Sequence, residues 1–286
     1  TDKVVGVKDI LISGNDAGTY KFNTTASTKA NITARPITVT AATDTKVYDG
    51  ALSSSGTPTI TSGSLASGDT ATWTQAFSDK KVNTNKTLIP NGTVSDANLG
   101  NNYVVTLVNN TTGVITAKAL TVTAAGVGKV YDGATGATVT LSSDKLSGDV
   151  VNLSYASASF ADKKVGDNKT VSASGISISG DDSGNYTFNT TASTTANITK
   201  ATLSVTAAGV NREYDGTTLA TVSLLDDRIT DDKITATCTA TFSNKNVGTD
   251  KVVGVKDILI SGDDAGNYTF NTTASTKANI TARPIT

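Results

Sequence analysis

The sequence predicts an all-β chain, a tandem array of small β-sandwich-like modules, on three observations. Tyr-Asp-Gly recurs at a fixed interval, alternating β-branched segments stand at fixed offsets from it, and the apolar residues are small or branched rather than bulky. A β-grasp module, one helix laid across a sheet, is the alternative architecture for such strands and Gly/Asx turns.

The tripeptide stands at Tyr48-Asp49-Gly50, Tyr131-Asp132-Gly133 and Tyr214-Asp215-Gly216, each 83 residues after the last. A period of that kind means one structural unit stacked in series. Asp-Gly after a Tyr reads as a strand end followed by a turn, because glycine takes positive φ without a steric penalty. Eleven residues before each Tyr begins an alternating segment, Ile37 to Ala41, Leu120 to Ala124 and Leu203 to Ala207. Late in each unit a Gly/Asx-rich turn leads to an aromatic strand, as at Gly180 to Tyr186 and Gly262 to Tyr268; the first unit has a degenerate version, Leu99 to Tyr103.

These offsets divide the chain into the C-terminal half of a module (1–35), module 1 (36–118), module 2 (119–201), module 3 (202–284) and the start of another (285–286). Residues 1–38 repeat residues 249–286 except at Asn15/Asp263, Thr19/Asn267 and Lys21/Thr269, which implies recent duplication and a window on a longer array.

Within module 3, Ile234, Ala236, Cys238, Ala240 and Phe242 alternate with threonines, the period-two pattern of a strand with one buried face. Counting back from the equivalent phenylalanine, Trp73 and Ala156 replace Cys238, so each core is expected to be packed individually. With 5% aromatics and no Met, thin sheets are expected rather than a thick core. Cys238, the only cysteine, forms no intrachain disulfide and is expected to fill core space.

Composition also narrows function. A net charge of −1 with scattered basic residues gives no stripe for nucleic acid, and no apolar run is long enough for membrane insertion. There is no His, and Glu213 is the only Glu, so the commonest general base and metal ligand are missing. The reading is a non-enzyme with no catalytic residue, no cofactor and no assigned metal. The strongest candidate site is Asp181 and Asp182 with Asn185, and its copy Asp263 and Asp264 with Asn267. Such oxygens suit Ca²⁺, which takes about 6 to 8 ligands, but the loop supplies too few. An Asx-stabilised turn is the preferred reading, under which removing Asp181 and Asp182 leaves stability little changed.

Asn-Xaa-Thr triplets at Asn23, Asn189 and Asn271 are expected by chance in a Thr-rich chain. A Lys–Asn cross-link would require a buried Lys, Asn and acid in contact. Tyr131 and its equivalents are expected to be buried against the turn that follows, although packing across module ends explains their position equally well. Only five residues separate Ile198 from Leu203, with no Gly/Ser tract, and Pro36 and Pro284 mark two junctions. Junctions this short predict a semi-rigid rod.

The order of Ile115 to Ala124, Lys129 to Gly133, Phe160 to Gly166 and Gly184 to Tyr186 resembles the YDG and related MBG repeats of bacterial surface and secreted adhesins. The resemblance covers essentially the whole chain; module 1, with Asn83 in place of Gly, is closer to the MBG branch. It implies large, haemagglutinin-like extracellular proteins in which such repeats form the long middle section, and it assigns no catalytic or ligand-binding residue. The expected function is a stalk or spacer at the bacterial cell surface, in attachment or biofilm formation. Its partners are neighbouring modules, with surface polysaccharide or another cell met through domains elsewhere. A carbohydrate-binding array using exposed Thr and Tyr faces is the alternative.

Overall fold

The computed structural model describes all 286 residues, and the chain is all-β. Its only helical pieces are single 3-10 turns at Ala17–Thr19, Ser183–Asn185 and Ala265–Asn267. No helix crosses a sheet, so the β-grasp alternative falls. The chain divides into two compact units, Thr1–Ala119 with Gly184–Thr187, and Leu120–Ser183 with Phe188–Thr286.

In the second unit, modules 2 and 3 share one plan. Module 2 has a four-stranded sheet in the order Lys129–Val130, Thr191–Thr199, Gly166–Ser174, Ser157–Phe160, with the first pair parallel and the others antiparallel. Over it lies the antiparallel pair Val122–Val127 and Thr138–Ser143. Module 3 repeats this with Arg212–Glu213, Ala274–Thr281, Gly248–Ser261 and Thr235–Phe242, covered by Val205–Gly209 and Val222–Asp226. The two layers touch at a glycine: a Cβ on Gly126 would stand 2.5 Å from Thr195 O, and one on Gly209 2.4 Å from Lys277 O. Only a residue without a side chain allows that approach.

Alternation places the core as the sequence predicts. Ala240 and Phe242 are buried and Ala236 and Cys238 partly so, while Thr235, Thr237 and Thr239 face solvent. Cys238 packs against the core at the place where Trp73 packs against Ile37 and Val39 in module 1. The buried cluster of the second unit is continuous, running from Tyr131, Phe160 and Val171 of module 2 to Val253, Tyr268 and Ile280 of module 3. The connection between them is minimal, because Thr191–Thr199 ends one residue before Ala201–Leu203 begins.

In the first unit, module 1 has the four-stranded sheet Thr45–Val47, Asn110–Thr116, Asn83–Ser95, Thr70–Phe77. Facing it, Arg35–Thr40 runs between antiparallel Thr59–Ser62 and parallel Tyr103–Val108. Ahead of it stands a two-stranded piece, Lys3–Val7 paired with Ala26–Ala30.

Candidate functional site

Each Tyr-Asp-Gly divides its labour among its three residues. The Asp serves its own module: its carboxylate accepts the backbone N–H two residues on, at 2.9 Å for Ala51, 3.0 Å for Ala134 and 2.8 Å for Thr217. It also binds the cation three residues back, Lys46, Lys129 or Arg212. That cation lies over a core ring, Phe77, Phe160 or Phe242, at 5.3, 5.6 and 5.2 Å. The Gly closes the turn at φ +76, +76 and +83, as an Asp-Gly turn requires.

The Tyr has a different task. Its N–H continues the backbone ladder, donating to Thr199 O at 2.8 Å in module 2, and its ring leaves the module. Tyr131 is buried edge-on against Tyr268 of module 3, with centroids 5.5 Å apart and planes at 79°. This corrects the expectation that the ring packs on the turn after it. T-shaped pairing adds a specific term to area burial.

Asp232 stands at the centre of this junction, its side chain only 1% exposed. It accepts from Tyr131 OH at 2.9 Å to each oxygen, from Tyr268 OH at 2.6 Å, and from Lys163 Nζ at 2.8 Å. Lys163 also reaches Asp264 at 3.4 Å and lies 5.8 Å from the Tyr131 ring centroid. Val165 N–H donates to Asn267 Oδ1 at 3.1 Å, and Ile229 sits against Gly133, where a Cβ would come within 2.9 Å. Module 2 therefore grips module 3 through a ring pair, a shared carboxylate, an ion pair and a main-chain hydrogen bond. In the first unit, Tyr48 meets Tyr186 edge-on at 5.6 Å, and Val82 N–H donates to Asn185 Oδ1 at 3.0 Å.

Burial alone would raise the Asp232 pKa, but hydrogen bonds from Lys163, Tyr268 and Tyr131 outweigh it and hold the carboxyl below its ordinary value. Hydrogen bonding to Asp232, then to Tyr131, raises the Lys163 pKa. Burial, then the bond to Asp232, pushes Tyr268 up to about 12, and the same causes raise Tyr131, with a bond to Lys163 opposing them. The cluster is thus an ammonium, a carboxylate and two neutral phenols, a set that fastens and that leaves neither a free base nor a neutral amine. Lys163 bonds the carboxylates of Asp232 and Asp264, while the buried Asn267 lies beside it with its Nδ2 3.5 Å from the same Asp264 oxygen.

The Asp-rich loops fall into two kinds of position. Asp181 and Asp263 are exposed, whereas Asp182 and Asp264 are buried and accept Val150 N–H and Lys233 N–H at 3.0 Å each. The buried member of each pair thus caps a backbone N–H, which argues against treating both aspartates of a pair as dispensable. Asn185 and Asn267 do not face the loops' carboxylates alone, because each also takes the N–H of a valine.

The Asn-Xaa-Thr triplets are likewise not idle. Asn189 brackets Val122, accepting its N–H at 2.8 Å and donating to its carbonyl at 2.9 Å, and Asn271 does the same to Val205 at 2.8 and 2.9 Å. Sequence reasoning missed these staples together with Lys163 and Asp232. The signal was available in spacing: Lys80 and Lys163, like Asp149 and Asp232, are 83 residues apart, and Asn189 and Asn271 are 82 apart.

A family model described as YDG domain matches residues 33–112, 116–196 and 199–276. No curated protein matches the chain. Among solved structures, the N-terminal four Ig domains of Dscam1 isoform 8.4 align over 86% of this chain and 73% of that one, at 9% identity and a TM-score of 0.20. Those of isoform 9.44, with zinc, align over 99% and 92% at the same identity and TM-score. Likeness at that level carries no argument for fold or role.

Proposed function

Because the chain belongs to the YDG domain family, with three copies in tandem, we propose that it is a structural stalk or spacer segment of a large bacterial extracellular adhesin. In this reading it projects a binding domain from the cell surface in attachment or biofilm formation. The observation that supports it is the grip of module 2 on module 3 around Asp232, which joins two domains through buried, charge-assisted contacts instead of a free linker. A spacer needs such joints, because a flexible array's reach grows only as the square root of its length whereas a stiff one gains a full module each time.

Four of the recurring tyrosines are paired at these joints, Tyr48 with Tyr186 and Tyr131 with Tyr268, and Tyr103 is bound within module 1. Tyr48, Tyr103, Tyr131, Tyr186 and Tyr268 are buried, so the surface for sugar stacking that the carbohydrate-binding alternative requires would have to come from elsewhere. The stalk reading is tested by small-angle scattering on this chain. An extended, narrowly distributed form supports it, and a compact form or a broad ensemble of bent forms would overturn it.

A further inference from the structure

The residues that follow the late tyrosine of each module differ in character in module 1 alone, and the change leaves an apolar edge. After Tyr186 stand Thr187-Phe188-Asn189-Thr190-Thr191, and after Tyr268 stand Thr269-Phe270-Asn271-Thr272-Thr273; after Tyr103 the counterparts are Val104-Val105-Thr106-Leu107-Val108. The threonines are exposed in modules 2 and 3, each of which has a whole module ahead of it, so a preceding module does not cover this stretch. In module 1 the positions stay open although they are apolar: Val104, Val105, Leu107 and Val108 are 55%, 37%, 43% and 39% exposed.

The backbone changes with the side chains. In modules 2 and 3 the strand stops after three residues, Tyr186–Phe188 and Tyr268–Phe270, and the asparagine that follows turns to bracket Val122 or Val205. Thr106 replaces that asparagine, and the strand runs for six residues, Tyr103–Val108, along the whole of Arg35–Thr40. It is the margin of its sheet. The carbonyls of Asn102 and Val108 accept from Arg35 and Ala41 N–H at 2.8 and 3.0 Å, so alternation turns the N–H and C=O of Val105 and Leu107 to the open side. Their side chains share the face of their buried partners Ile37 and Val39 and continue that core to an uncovered rim. Edges of this kind are ordinarily blunted by charge or proline. Here neither a charged residue nor a proline stands between Asp96 and Lys118.

We propose that Tyr103–Val108 is a homotypic docking edge, on which the same strand of a second copy of this chain pairs antiparallel about a two-fold axis at Thr106. The strand is its own complement in that register. Val104 meets Val108 of the second copy, Val105 meets Leu107, Thr106 meets Thr106 and Asn102 meets Asn110, so apolar groups, hydroxyls and amides each face their own kind with no charge to repel. Val105 and Leu107 exchange N–H···O=C bonds across the axis, using the groups that alternation leaves open, and two three-stranded sheets become one of six. Two strands of this length cover less than the roughly 1,200–2,000 Å² of a stable interface, so the dimer is weak, with a Kd of about 10–500 μM. The inference goes beyond the stalk reading and does not depend on it.

The test uses the full chain carrying Cys238→Ser. Thr106 faces itself across the axis as a non-hydrogen-bonded pair, with about 4.5 Å between Cα atoms, a spacing that a disulfide spans. Thr106→Cys should therefore cross-link into a dimer under mild oxidation, whereas Val104→Cys, displaced along the strand by roughly 13 Å from its own copy, should not. Sedimentation velocity on the chain without added cysteines should show reversible dimers forming over about 10–1,000 μM. Leu107→Lys should weaken them at least about tenfold, as a charge protects natural edges. So should the triple change Val104→Thr, Leu107→Thr and Val108→Thr, which installs the residues that modules 2 and 3 carry there; circular dichroism should be unchanged in both variants. A monomer throughout that range overturns the proposal, as does a dimer that neither variant weakens. Equal cross-linking of Val104→Cys and Thr106→Cys would mean parallel pairing and overturn the register. A chain that stays monomeric yet binds an unrelated strand-forming peptide would make the edge a general strand acceptor and overturn the second copy as its occupant.

Discussion

Replacing Tyr131 by Phe removes one hydroxyl and keeps the ring, which isolates the polar part of the joint. The hydroxyl lies 2.9 Å from both Asp232 oxygens, and a hydrogen bond to a charged group contributes about 1.5–3 kcal/mol. Asp232 keeps Tyr268 OH and Lys163 after the change, so the loss belongs at the low end, about 1.5 kcal/mol. For a cooperative unit of 150–250 residues each kcal/mol is about 2–4 °C, which gives a fall of about 3–6 °C in the melting temperature of the second unit. Tyr214→Phe is the internal control: the same residue in the same motif, with no module on its far side among residues 1–286, should shift melting by less than about 2 °C. Differential scanning calorimetry on the full chain reads both. If Tyr131→Phe is as mild as Tyr214→Phe, the hydroxyl does not hold the joint and the reasoning fails.

The joint should weaken in acid: Asp232 has a depressed folded pKa, so its contribution is present above the unfolded value of about 4 and is lost as pH falls through the folded one. Melting temperature between pH 2 and 5 should therefore fall less in Asp232→Asn than in the parent, and equal slopes would contradict the assignment. At the alkaline end the raised Tyr268 pKa contributes stability below about pH 10 that is lost as pH rises towards about 12, and Tyr268→Phe should flatten that limb. Gly133→Ala and Gly216→Ala both meet positive φ, a strain of about 1–2 kcal/mol. Only Gly133→Ala also presses on Ile229, so urea unfolding should show the larger loss there, and equal losses would place Ile229 elsewhere. Asp264→Ala should cost about 1 kcal/mol or more through the Lys233 N–H it caps, with melting the same in Ca²⁺ as in EDTA; a melting temperature that climbs with Ca²⁺ in the parent alone would overturn the turn reading of Asp263 and Asp264.

Strands and turns were legible because their signals are local. The alternation around Cys238 gave the buried face of its strand, and Asp-Gly gave the turn with its positive φ. The joint was not legible in the same way, because Tyr131, Lys163, Asp232 and Tyr268 come from four separated stretches and meet only when two modules are set end to end. The local sequence around Tyr131 therefore fits packing on the turn beside it and packing across a module end equally well, and only the fold selects the Tyr268 ring. Asn189 and Asn271 were misread for a similar cause, since an asparagine that brackets a distant valine looks, in one dimension, like any polar loop residue. Period was the one sequence signal that reached these contacts. Lys80 and Lys163, and Asp149 and Asp232, keep the 83-residue spacing of the motif.

The most direct test of the account is a distance distribution between modules 2 and 3, measured by double electron–electron resonance. Spin labels at the exposed Thr140 and Ser223 would be placed on the full chain carrying Cys238→Ser, so that no other thiol reacts. The account predicts a single narrow distribution in this background and a broadened one when Asp232→Ala removes the shared carboxylate. A distribution already broad with Asp232 in place, or one that Asp232→Ala leaves unchanged, would contradict it.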